Sequence, residues 1–291
     1  MADILCLHSS QSSGAQWRAL KQALSQICPA AQVHTPNLIG YGREQYDAAH
    51  PPTDAFRLAH EIEALLPLLE HTAAAGALAV DGAGAGDWGL GDNDGAVATA
   101  LPRAPFHLIG HSFGGAVALR LARLLCQAGY PPTSVSVYEP VCFHVLSKGS
   151  PAHNEIVDVA EQMDRLTLAE ATAAFVNYWN QPGYFEALPA KAQQGMIAKQ
   201  VKVNADFAAL LHEPAQLDDY SVIDCPVLLM HGTESPLSSR TVASSLASVL
   251  PNCTEVEVAA GHMAPLTAPE LVNPAVLEFL HEQTASLGPR L

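Results

Sequence analysis

Ser112 lies in Leu108-Ile109-Gly110-His111-Ser112-Phe113-Gly114-Gly115, where an apolar strand end passes through a Gly-x-Ser-x-Gly turn into a helix. That spacing suits a nucleophile. A sharp strand-to-helix turn holds the serine hydroxyl in a strained, exposed conformation, and small residues two before and two after it let neighbouring backbone approach. The helix that follows aims its free N–H groups at the same point. To attack a carbonyl, the hydroxyl needs a base, a group that orients the base, and donors for the oxyanion. Of the thirteen histidines, His262 in Ala259-Ala260-Gly261-His262-Met263 is the best placed, in a glycine-preceded loop following a strand. His111, adjacent to the serine, cannot turn its ring onto its neighbour's hydroxyl and reads as packing or hydrogen bonding beside the turn. His8, His107 and His231 read as structural.

These groups must be carried by a regular frame. Short apolar runs at Ile4–Leu7, Gln32–Pro36, Phe106–Ile109, Ser134–Tyr138, Val227–Met230 and Thr254–Val258 read as strands. Helical spacing follows at Trp17–Ile27, at Asp54–His71 with Thr53 or Asp54 as cap, and from Ala116 to a stop near Gly129 and Pro131. The alternation predicts an α/β fold with a mainly parallel, doubly wound sheet of about six strands. Two stretches interrupt it. Residues 72–104 are rich in Ala and Gly and carry Asp81, Asp87, Asp92 and Asp94; without the terminal Glu of an EF-hand they read as a surface insertion, not a calcium loop. Residues 143–220 show helical patterns at Asn154–Leu166, Leu168–Trp179 and Pro189–Leu211 with no good strand. They are expected to form a helical lid on a core made of 1–142 and 221–291. Phe143, Phe175, Tyr178, Trp179, Tyr184, Phe185 and Phe207 lie in it, as lid core or as walls of an apolar pocket.

Composition narrows the partners. Asp and Glu number 29 against 14 Lys and Arg, and the net charge of −15 disfavours nucleic acid or an anionic membrane surface. A hydrophobic share of 49% with 15% charged residues suits a globular chain with elements buried on both faces. Cys6, Cys28, Cys126, Cys142, Cys225 and Cys253 are scattered without a Cys-x-x-Cys pair and read as reduced core residues. The start, Met-Ala-Asp-Ile-Leu, shows no basic leader and no apolar run of about twenty residues follows, so a cytoplasmic, soluble protein is expected.

Taken together, Leu7-His8 and its polar loop, Pro36 to Gly42, Gly110 to Gly115, Pro226 to Gly232 and Gly261-His262-Met263 resemble the α/β-hydrolases. The resemblance spans the first strand to the last forty residues but omits the lid and the Gly-rich segment. It implies the order nucleophile, acid, histidine, and an oxyanion hole from the N–H of Phe113 and of Ser10, with Ser9 as the alternative. Many members carry His-Gly where this chain has His8-Ser9, and the family's first two strands have no counterpart before Ile4.

The acid is a choice between two residues. The family often places it at the third residue after His-Gly on the fifth strand found here, which in His231-Gly232-Thr233-Glu234-Ser235 is Ser235. A serine cannot stabilise an imidazolium as a carboxylate does. Glu234 would need the loop to turn its side chain inward. Glu139, at the carboxyl end of the fourth strand, needs no shift and occupies a position some members use, so it is preferred. Serine with histidine suits acyl carbonyls, whereas relatives that displace at carbon use a carboxylate at this turn. The expected activity is hydrolysis of an ester, lactone or thioester of a small, largely apolar molecule, without metal or cofactor. Carbon–carbon bond hydrolysis, cofactor-free peroxidation and a non-catalytic binding role are the alternatives.

Overall fold

The computed structural model describes residues 3–47, 49–71 and 106–286. The Ala- and Gly-rich segment 72–104, with the aspartates considered for calcium, lies outside the described residues. Six parallel strands form one sheet in the order β2-β1-β3-β4-β5-β6: β1 (Asp3–Leu7), β2 (Val33–His34), β3 (Phe106–His111), β4 (Ser134–Tyr138), β5 (Val227–Gly232) and β6 (Cys253–Val258). The order reverses between β1 and β3, and loops leaving the carboxyl ends there are where open α/β sheets place their sites. Alternate strand residues face opposite sides. Leu5, Leu7, Leu108, Val135, Val137, Val227 and Leu229 belong to one core, and Ile4, Cys6, Ile109, Leu228 and Met230 to another. Each buried Leu, Ile or Val contributes about 1.5–3 kcal/mol, so one register fits both cores.

Helices α1 (Arg18–Ile27) and α11 (Pro269–Ser286) belong to the second core through Leu20, Leu24, Val272 and Val276. Helices α2 (Leu58–His71), α3 (Phe113–Gln127) and α9 (Leu237–Val249) serve the first. Between β4 and β5 stand α4 (Pro151–Arg165), α5 (Leu168–Trp179), α6 (Tyr184–Ala187), α7 (Ala190–Ile197) and α8 (Gln200–Leu211); one turn, α10 (Ala264–Thr267), follows His262. α5 starts with a reciprocal cap in which Glu170 N–H donates to Thr167 Oγ1 and Thr167 N–H donates to the Glu170 carboxylate. The insertion does not have a core of its own. Its Phe175, Trp179, Phe185 and Phe207 join the first core directly.

Three differences from expectation change an element rather than shift its end by a few residues. The helix predicted from Asp54 begins only at Leu58, because Thr53–Ala55 form a separate 3-10 turn and Phe56 is extended, so neither Thr53 nor Asp54 caps it. The helix predicted over Pro189–Leu211 is two, broken at Ala198 and Lys199. β2 is only two residues long, consistent with an edge strand running into Pro36. No described helix is long and apolar enough to cross a membrane.

Candidate active site

Between β3 and α3 the chain reverses at Ser112, whose φ of 56° and ψ of −124° are unusual for a side-chain-bearing residue. Such a conformation costs on the order of 1–3 kcal/mol and persists only where the surroundings enforce it. Ser112 N–H donates to Tyr138 O at 3.0 Å, and Ser112 O accepts from Gly115 and Ala116 at 2.9 and 3.0 Å. Gly114 is required by close approach: a Cβ there would stand 2.4 Å from Leu7 O and 2.5 Å from His8 O.

The loop after β6 brings His262 Nε2 to 2.9 Å from Ser112 Oγ and Nδ1 to 2.6 Å from Glu139 Oε2. With the proton on Nδ1 donated to the carboxylate, Nε2 is left to accept from the hydroxyl. Glu139 is fully buried at the end of β4, with φ 44°, and its Oε1 accepts the Gly232 N–H at 2.6 Å. Burial opposes its ionisation, yet the contact with His262 and the Gly232 N–H prevail and hold the carboxyl below its ordinary range. The alternative acid is placed elsewhere. Glu234 is exposed in the turn after β5 and makes no hydrogen bond to His262, while Ser235 is buried.

The expected donors also separate. Ser9 N–H and Oγ both donate to Gln16 Oε1, at 3.1 and 3.0 Å, so Ser9 is not free for an oxyanion. The N–H groups of Ser10 and Phe113 have no acceptor among the described residues. Gln16 has a second partner: its Nε2 donates to His111 Nδ1 at 3.1 Å, and His111 Nε2 donates to the His262 carbonyl at 2.9 Å. His111 therefore fixes the backbone of the loop that carries His262. His8 donates from Nδ1 to Ser9 O and accepts the Leu38 N–H at Nε2, and burial pushes its pKa down to about 4. His107 bonds Ser134 Oγ, and His231 meets Glu255.

One contact had no signal beyond an aromatic pair at a helix end. Trp179, last residue of α5, lies flat on the His262 ring, with centroids 3.9 Å apart and planes 29° from parallel. Beside them opens a cavity of about 220 Å³, walled by Phe175, Val176, Met196, Met263 and Leu266 and floored by Ser112. Among the described residues no Asp, Glu, Lys or Arg lines it.

The sequence profile described as the Alpha/beta hydrolase family matches residues 4–275. The chain belongs to this family. Solved structures agree in fold across nearly the whole of this hydrolase. A thermophilic esterase from Thermogutta terrifontis is 19% identical, with 97% of this chain and 90% of that one covered at a TM-score of 0.64. The enol-lactonase from Burkholderia xenovorans is 17% identical, covering 97% and 92% at 0.66. A hydrolase from Oleispira antarctica is 15% identical, covering 97% and 91% at 0.69. No curated protein matches the chain. Within this alpha/beta hydrolase the carboxylate that meets His262 ends β4, not the loop after β5 where the family often carries it.

Proposed function

We propose that this hydrolase cleaves an ester-like bond, in an ester, lactone or thioester, of a small and largely apolar substrate through an acyl-enzyme on Ser112. The contact that carries the reading is the single file Ser112 Oγ, His262, Glu139, joined at 2.9 and 2.6 Å. Ser112 Oγ attacks the acyl carbon while its proton passes to His262 Nε2, and Glu139 stabilises the imidazolium. The N–H groups of Ser10 and Phe113 receive the oxyanion. Collapse expels the leaving group, which takes the proton from His262, and water repeats the sequence on the acyl-enzyme.

The cavity supports the substrate class. Its walls are mostly apolar, with Phe175, Val176, Met196, Met263 and Leu266 facing a space of about 220 Å³ beside Ser112. Among the described residues no Lys or Arg lines the cavity, so a carboxylate on the acyl group would meet no cationic side chain there. A fluorophosphonate probe tests the reading: labelling of the wild type at Ser112, abolished in Ser112→Ala, is expected. Unlabelled wild-type protein at neutral pH would leave a binding role instead.

A further inference from the structure

We propose that the helical insertion positions the oxyanion loop: Asp206, with Lys199 and Gln200, holds Ser10 and Gln11 so that the Ser10 N–H faces the reacting oxygen. The assignment rests on the serine-hydrolase reading. The loop Ser9–Gln11 is gripped from two sides. The core grips Ser9 through Gln16, as described. From the other side Ser10 Oγ donates to Asp206 Oδ2 at 2.5 Å, Lys199 Nζ donates to Gln11 O at 3.3 Å, and Gln11 Nε2 donates to Gln200 Oε1 at 3.3 Å. Gln11 has φ 59°, a left-handed conformation that a side-chain-bearing residue leaves unless it is held. These three bonds all reach α8 or the residue before it, and Tyr41 adds contacts to Ser10 and the Gln11 backbone.

The anchor is rigid. Asp206, Lys202 and Glu61 are buried together: Lys202 Nζ bonds Asp206 Oδ1 and, at 3.0 Å, Glu61 Oε1 on α2. The remaining carboxylate oxygens are also occupied, Asp206 Oδ2 by Tyr41 OH at 2.5 Å as well as Ser10, and Glu61 Oε2 by Ile39 N–H at 3.1 Å. Lys202 Nζ stands 4.7 Å from the ring centroid of Phe113, the residue bearing the second donor. One buried cluster thus touches both residues that offer a free N–H. A buried ion cluster is a weak source of stability compared with apolar packing, and its return here is geometric. Ser10 and Asp206 are positioning residues in this account, with the Ser10 backbone N–H the group that meets substrate.

Ser10→Ala tests this directly, since it keeps the N–H and removes only the hydroxyl held by Asp206. With p-nitrophenyl butyrate, kcat is expected to fall about tenfold to a hundredfold, less than or comparable to loss of a donor itself, while KM changes less than about twofold. Affinity for butylboronic acid, which forms a tetrahedral adduct on the serine, is expected to fall in step with kcat, and Ser10→Thr to recover most of both. A folded Ser10→Ala enzyme whose kcat and boronate affinity stay near wild type would overturn the proposal. Asp206→Asn should reproduce the Ser10→Ala pattern; if it fails to fold, Ser10→Ala decides. Equal boronate binding by wild type and Ser112→Ala would overturn the serine-hydrolase reading and this inference together.

Discussion

Among the described residues Glu139 is the carboxylate that bonds the imidazole, and both of its oxygens are used, one by His262 Nδ1 and one by Gly232 N–H. Replacing it by Gln keeps the shape but presents an amide that can donate to Nδ1 and favour the wrong tautomer. Glu139→Gln is expected to lower kcat on a small activated ester by about 10³–10⁴, whereas Glu234→Gln, at an exposed position, should leave it near wild type. A reversed pattern would move the acid to the turn after β5. Trp179 acts on the same imidazole from the other face. The indole lies flat on that ring and holds its plane in line with Ser112 and Glu139. Trp179→Leu should therefore reduce kcat/KM roughly tenfold; an unchanged value would make the stack simple packing.

At the scale of elements, the turn between β3 and α3 tolerates no added atom at Gly114. Gly114→Ala forces a methyl group against the Leu7 and His8 carbonyls, and overpacking of this kind costs about 1–3 kcal/mol. Urea unfolding should show that loss together with lost activity; full stability and activity would mean the β1 end yields more easily than its place in the sheet suggests. Much of this frame was legible in the chain. Short apolar runs mark all six strands, and the Gly-x-Ser-x-Gly turn and the Gly-preceded His262 lie where the strands end. Pattern preferred Glu139 over Glu234 by its place at a strand end without deciding between them, because burial decides and only the assembled sheet determines burial. The pairing of Ser10 with Asp206 spans 196 positions and joins a loop to a helix with no shared motif. The break at Ala198 and Lys199 is equally silent, as neither residue is a helix breaker, yet it starts α8 where it reaches Gln11.

Across the whole molecule, the described histidines set an acid limit on stability. Burial pushes His8, His107 and His144 from 6.5 to about 4. Above 6.5 both folded and unfolded chains keep them neutral. Between 6.5 and about 4 the unfolded chain takes up protons that the folded chain refuses, so stability falls as pH falls; below about 4 the loss is complete. Each of the three accounts for on the order of 3 kcal/mol, and together they rival the 5–15 kcal/mol that typically holds a domain together. Unfolding free energy should be flat from pH 8 to 7 and drop steeply toward pH 4, with a shallower drop in His107→Gln. The buried Glu61 and Asp206 carboxyls, pushed up by burial, act in the opposite sense, so the variant decides: a His107→Gln profile identical to wild type would contradict the burial of that ring. The insertion shares the first core with the sheet, so its helices should unfold with the sheet in one transition followed by circular dichroism and tryptophan fluorescence.

The most direct test of the central claim is intact-mass spectrometry of the protein quenched in acid during turnover of p-nitrophenyl butyrate. The geometry at Ser112 predicts one added butyryl group per chain, mapped to Ser112 and missing from Ser112→Ala. Turnover with no covalent adduct, or an adduct that persists in Ser112→Ala, would contradict it.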